Sequence, residues 1–249
     1  RTHLSVRRGL VAGPAVVGGA LTVGDSVRGS LRAMTLARLG DVDHVVNSQR
    51  FFREQRAGEL AQRETFQQRF AAAAPAIAIP GSVEFAQAAA DSGETRVRRA
   101  GQVNIYGVDE RFWDLTDHGN AVVPTQGEVV LNWRLAQGLG VDAGDEVTLW
   151  IEIPAAIPRD ALLGDRDESS AEVVLTVSRV LAEDSGVGRF ELNPNQHLPL
   201  AAFVALDTLQ SRLGLAEVRR SRRNPVGKPA RVNALFVRAE NESDGQGAT

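Results

Sequence analysis

The 249-residue chain has no cysteine, which excludes a disulfide framework, a cysteine-ligated zinc or iron–sulfur site and a thiol nucleophile, and leaves the compartment open. It has no excess of either charge. Its 28 basic and 31 acidic residues leave a net charge of -3, which argues against a dedicated nucleic-acid binder needing a dominant positive field. There is no internal repeat and no heptad series. The four histidines, His3, His44, His118 and His197, form no H-x-H or H-E-x-x-H pattern, so no zinc site is expected. Gly227-Lys228 lacks the earlier glycine of a P-loop and has Pro229 where a hydroxyl must hold magnesium, so no nucleotide site is expected either. What is present is globular composition, 43% hydrophobic and 24% charged. At this length a chain buries roughly 70% of its unfolded surface, enough for one large domain or two small ones.

A long hydrophobic run is also missing. Arg7 and Arg8 precede an uncharged stretch from Gly9 to Gly24, and Asp25 is the next charge. Sixteen helical residues reach only ~24 Å against a ~30 Å hydrocarbon core, and the glycines and Pro14 weaken insertion further. Three readings stay open for residues 1–24: a marginal transmembrane helix, a buried glycine-rich strand and turn, or a signal peptide. If the segment spans, Arg7 and Arg8 place the N-terminus in the cytoplasm and everything after Asp25 outside. The chain begins at Arg1 rather than Met, so it is expected to be cut from a longer protein.

Beyond Asp25 the apolar residues Val27, Leu31, Met34 and Leu39 recur at helical spacing between Arg28, Arg32 and Arg38, predicting an amphipathic helix ended by Gly40. Strands are expected at Asp43–Ser48, Thr95–Tyr106, from Val147, around Val173–Val177 and at Val232–Val237. Helices are expected at Leu60–Ala74, stopped by Pro75, at Glu128–Leu139, ended by Gly140, and at Leu206–Leu213. Pro154–Ala171 and Asn193–Pro199 read as loops, and 240–249 as a polar tail. Scattered helices among hairpin-length strands suggest α+β rather than βαβ alternation.

Few constellations suggest chemistry. Gly24-Asp25-Ser26 resembles the first block of GDS-type (SGNH) esterases, with Ser26 as nucleophile. A base and oxyanion donors are also required, and the sequence offers only Asp41-x-x-His44, far too early, and an isolated His197. The competing reading is a helix N-cap on Asp25 or Ser26. Asp165, Asp167 and Glu168 lack the twelfth-position glutamate of an EF-hand and read as a solvated loop. Arg219, Arg220, Arg222 and Arg223 form one dense basic patch, either a solvated loop or a contact for anionic headgroups or an acidic partner. Trp113, Trp133 and Trp150 read as core or hinge anchors in preference to a binding cage.

Several segments match one family in order: an apolar segment running into VGDSVRGSL, then IYGVDERFW, VVLNWRLAQGLGVDAGDEVTL, VVLTVSRVL, LPLAAFVALDTLQ and RVNALFV. From about Leu21 to Arg238 the chain resembles the extracytoplasmic (periplasmic) core domain of MacB- and FtsX-type ABC transporter permeases. The resemblance implies a two-lobed α+β domain behind a marginal transmembrane helix at 1–24. A membrane-proximal Porter-like lobe would take 25–103 and 200–239, with a Sabre-like β-rich lobe inserted at 104–199. It further implies no catalytic, cofactor-binding or metal-binding residues in this domain. Its partners would be a cytoplasmic ABC ATPase, a second permease in a homodimer or heterodimer, the membrane, and an envelope protein or lipoprotein. The place would be the inner (cell) membrane, with the domain outside, and the work would be export, lipoprotein release or partner activation. A freestanding exported binding module is the remaining alternative.

Overall fold

The computed structural model describes residues 28–30, 38–39, 42–88, 95–116, 123–152, 170–183, 185–192, 198–221 and 225–240. Residues 28–30 and 38–39 are helical, as expected for the helix ahead of Asp43. Eight strands follow: β1 (His44–Arg53), β2 (Phe70–Ala88), β3 (Thr95–Val108), β4 (Glu128–Asn132), β5 (Glu146–Glu152), β6 (Ser170–Leu181), β7 (Ala201–Ala205) and β8 (Arg231–Ala239). Short helices lie between them: α1 (Gln55–Ala61), α2 (Glu64–Gln67), α3 (Glu110–Thr116), α4 (Trp133–Leu139) and α5 (Leu206–Arg212).

The strand order is β1-β8-β2-β3-β7-β4-β6-β5, and β5 returns to pair with β2 through Gly81↔Ile151 and Glu84↔Thr148. Six strands, β2 to β5 in that order, therefore close into a barrel. Two neighbours are parallel, β3 with β7 and β4 with β6, and the other barrel pairings are antiparallel. β2 makes closure possible by changing partner along one edge. Phe70–Ala76 pairs with β8, and Gly81–Glu84 pairs with β5. The changeover is filled by Asn233, whose Oδ1 accepts from the Ala78 amide at 2.8 Å and whose Nδ2 donates to the Ala78 carbonyl at 2.9 Å. A side-chain amide thus supplies the rung that β8 no longer supplies, leaving neither backbone group unpaired. Opposite Gly81–Val83 a bulge at Gly101 and Gln102, with Gln102 at φ 55°, bends β3 around the barrel.

The alternation in β5 and β6 sends Val147, Leu149, Ile151, Val173, Leu175 and Val177 inward, where they meet Val103, Ile105 and Leu131. Leu135 and Leu139 of α4 and Leu209 of α5 join the same core. A second core lies elsewhere in the fold, built from Tyr106, Phe112, Trp113, Phe190, Phe203 and Phe236. β4 and β7 belong to both, which is why Ala201–Ala205 is buried at every position.

This architecture overturns the expected two-lobed α+β domain with a Sabre-like lobe inserted in a Porter-like lobe. The fold is β-rich, and the barrel takes β2 and β7 from the segments assigned to one lobe and β4, β5 and β6 from the other, while β3 runs across residue 104. Two expected helices also differ. Residues 70–74 begin β2, and Pro75 lies within that strand opposite Leu235 instead of stopping a helix. The alanine run favours helix locally, but Ala73, Ala74 and Ala76 are buried against β8, and tertiary pairing overrides the propensity. Residues 128–132 form β4, and only Trp133–Leu139 is helical, because Val129, Val130 and Leu131 are buried on both faces as in an interior strand. No helix among the described residues is long and apolar enough to cross a membrane, and the segment 1–24 lies outside those residues.

Candidate functional site

Leu39 and Val42 pack on the aromatic core, joined by the Val42 amide donating to the Leu39 carbonyl at 3.2 Å. One residue earlier, Arg38 donates through Nη1 to Oε2 of Glu191 at 2.6 Å, with side chains only 10% and 6% exposed. Glu191 is carried by the segment after a short 3-10 turn, Val187–Arg189, and its neighbours Phe190 and Leu192 pack in the same core. Phe190 lies 5.2 Å from the Tyr106 ring and 5.3 Å from both Phe112 and Phe236. The helix end is therefore fastened to the body by one buried charge pair over an aromatic floor. Burial pushes the Glu191 carboxyl above its ordinary range, and the Arg38 charge offsets this only in part. Burial raises the Tyr106 phenol too, against a hydrogen bond from the Leu192 backbone.

Asn132 ties the same region to the barrel. Its Oδ1 accepts from the Leu135 amide at 3.2 Å, capping α4, and from the Ala201 amide at 3.1 Å. Its Nδ2 donates to the carbonyls of Gly188 and Pro199 at 3.0 and 2.7 Å. One buried amide thus links β4, α4, the Gly188 turn that leads to Glu191, and the start of β7.

A second polar cluster lies where β3 and β7 end side by side. Arg111 Nη2 donates to Glu54 Oε1 at 3.0 Å, and its Nε donates to Asp109 Oδ2 at 2.8 Å. Gln210 donates to Glu54 Oε2 at 2.9 Å. Although partial burial works against its charge, the carboxylates of Asp109 and Glu54 hold the Arg111 guanidinium above its ordinary range. A groove of about 410 Å³ opens here, lined by Glu54, Asp109, Glu110, Asp207 and Gln210 among others. Gln210 also donates to the Arg231 carbonyl at 3.3 Å, so the cluster braces the end of β1 to α3, α5 and β8.

Ser26, Asp25, Asp41, His3, His118, His197, Asp165, Asp167, Glu168, Arg222 and Arg223 lie outside the described residues. His44 stands on the outermost strand with its ring 5.4 Å from Phe70 in an edge contact. Among the described residues no group of histidine and carboxylate side chains could hold a metal. Lys228 pairs by backbone with Val218, closing the loop that carries Arg219 and Arg220, and Arg219 is 88% exposed, 3.8 Å from Glu217. Trp113 is buried against Phe112 and Phe203, whereas Trp133 opens α4 and Trp150 lies on β5. Neither Glu191 nor Asn132 stands out in the sequence, where Asn132 falls inside the expected helix Glu128–Leu139; its place ahead of Leu135, Ala136 and Leu139 is the one local signal of a cap.

No protein-family profile matches the sequence, and no curated protein matches it. Among solved structures the fold is similar to a domain of a candidate permease protein from Porphyromonas gingivalis, at 10% identity and a TM-score of 0.39, covering 82% of this chain and 78% of that one.

Proposed function

We propose that this chain is a non-enzymatic extracytoplasmic domain of an ABC transporter permease of the MacB or FtsX type. It stands outside the cell membrane and passes on conformational change driven by a cytoplasmic ATPase, to a permease-bound substrate, lipoprotein or envelope partner, within a homodimer or heterodimer of permeases. The observation that carries this reading is the buried Arg38–Glu191 pair, which fastens the helical residues 38–39 to the body of the fold. A relay needs a mechanically stiff joint between the moving helix and the domain it moves, and two states whose balance the joint can bias. The ordered run of family-like segments from Leu21 to Arg238 supports the same reading.

The test is transport-coupled ATP turnover by the full permease reconstituted with its ATPase. Glu191→Gln should lower coupled turnover while leaving the uncoupled ATPase rate in place. An unchanged coupled rate would sink the relay through Arg38. Labelling of the chain by a fluorophosphonate probe, lost on Ser26→Ala, would replace the reading with a serine hydrolase. Cleavage after the apolar segment in the exported protein would replace it with a freestanding binding module.

A further inference from the structure

We infer that the concave surface formed by Arg53, Arg56, Leu60 and Arg63 is a binding site for a phosphate group carried as a dianion. Arg53 ends β1, Arg56 and Leu60 lie on α1, and Arg63 stands between α1 and α2. Arg56 and Leu60, four residues apart, share one side of α1; Arg53 before the helix and Arg63 after it join them, and with Glu59 they line a cavity of about 280 Å³.

The charge of this cavity is not balanced from within. Three guanidinium groups face one carboxylate, Glu59. The neighbouring Glu54 is engaged by other partners, its two oxygens accepting from Arg111 and Gln210. Among the described residues the side chains of Arg53, Arg56 and Arg63 make no ion pair and no hydrogen bond. Like charges gathered around one cavity repel, and an anion held between them relieves that repulsion. A surplus of two positive charges matches a phosphomonoester, which carries about -1.5 to -2 at pH 7. The planar fork of arginine pairs with two phosphate oxygens at once, a geometry lysine lacks. Half-buried Leu60 supplies an apolar floor for the group that bears the phosphate. This inference does not depend on the permease reading and can stand if that fails.

The experiment titrates the 249-residue chain with inorganic phosphate by calorimetry. In parallel, phosphatidylcholine vesicles with and without phosphatidic acid are sedimented with the protein. Saturable binding is expected to weaken about tenfold or more in the double variant Arg56→Gln/Arg63→Gln, as for loss of charge-assisted contacts. Glu59→Gln should tighten it, because a competing carboxylate is neutralised. All these side chains but Leu60 are exposed, so thermal melting should stay unchanged and loss of binding cannot be put down to unfolding. Capture only by vesicles containing phosphatidic acid assigns the phosphate to a lipid; binding of inorganic phosphate in solution assigns it to a soluble ligand. The inference is overturned if neither probe binds. It is overturned too if Arg219→Gln/Arg220→Gln, which removes the same charge elsewhere, weakens binding as much as the change at Arg56 and Arg63.

Discussion

Gly81 and Trp150 meet at the seam of the barrel: a Cβ at position 81 would stand 2.6 Å from the Trp150 carbonyl oxygen and would also collide with the Ile105 side chain. The obstacle on the Trp150 side is backbone, which cannot swing away as a flexible side chain could. This is the point where β2 has left β8 and taken β5 as its neighbour. A glycine here is what lets a strand of 19 residues serve both an open sheet and a closed barrel.

Gly81→Val should therefore destabilise the chain by about 1–3 kcal/mol, the usual cost of overpacking, and should loosen the β2–β5 ladder before the rest. Urea unfolding gives the first quantity and amide exchange along β5 the second. An unchanged urea midpoint would show that the two strands do not approach so closely.

Asn132→Ala removes an N-cap and leaves the Ala201 amide and the Gly188 and Pro199 carbonyls without their partner. A lost cap costs about 1 kcal/mol and each stranded buried group about 1–3 kcal/mol, so a loss of several kcal/mol is expected. Asn132→Asp should be no rescue, because a carboxylate keeps the acceptor but confronts two carbonyls with negative charge. Equal stability of Asn132→Asp and the native chain would disprove the bridging role of Nδ2.

For Arg38 and Glu191 the sharp measurement is a double-mutant cycle. Removing either partner alone strands a buried charge and should cost about 3–5 kcal/mol, while the paired replacement Arg38→Met/Glu191→Leu should recover most of it. The paired variant should nevertheless fail in coupled turnover if the charge pair sets the position of the helix. Additive single losses would mean that the two side chains do not interact in solution.

The Glu191 carboxyl is raised by burial, so the folded chain holds this proton more tightly than the unfolded chain does. Its contribution to stability is full below the ordinary carboxylate range. It falls as pH rises from there to the raised folded value, and is level above it. Glu128 runs the other way, since a hydrogen bond from the Thr125 amide lowers its value, and what it contributes is lost on acidification. The comparison must therefore be native against Glu191→Gln, by urea midpoints followed upward from the ordinary carboxylate range, about pH 4.3. The difference between them should slope with pH from there to the raised folded value. A flat difference would mean that Glu191 titrates as in the unfolded chain.

Local pieces were legible in the sequence wherever a short-range cause was sufficient. Gly140 ends α4 in the left-handed conformation, φ 67°, its amide donating to the Ala136 carbonyl at 2.7 Å, as a C-terminal glycine should. The alternation from Val147 and around Val173–Val177 is a pair of neighbouring antiparallel strands. Where neighbours far along the chain decide the outcome, local reading failed. The alanines before Pro75 carry a helical preference that burial against β8 overrode. Val129 to Leu131 have apolar spacing that suits either a helix face or a strand covered on both sides, and only the flanking strands β6 and β7 choose between them.

The sequence by itself determined the composition of a cored, cysteine-free chain, its turns and caps, and which strand residues share a face. The tertiary structure alone decided that β2 pairs in turn with β8 and β5, that six strands close, and that Arg38 finds Glu191 across 153 residues. The reason is physical. A two-residue period says which face a side chain takes but carries nothing about which strand will lie alongside, and that choice is made by packing volume and hydrogen-bond completion over the whole fold.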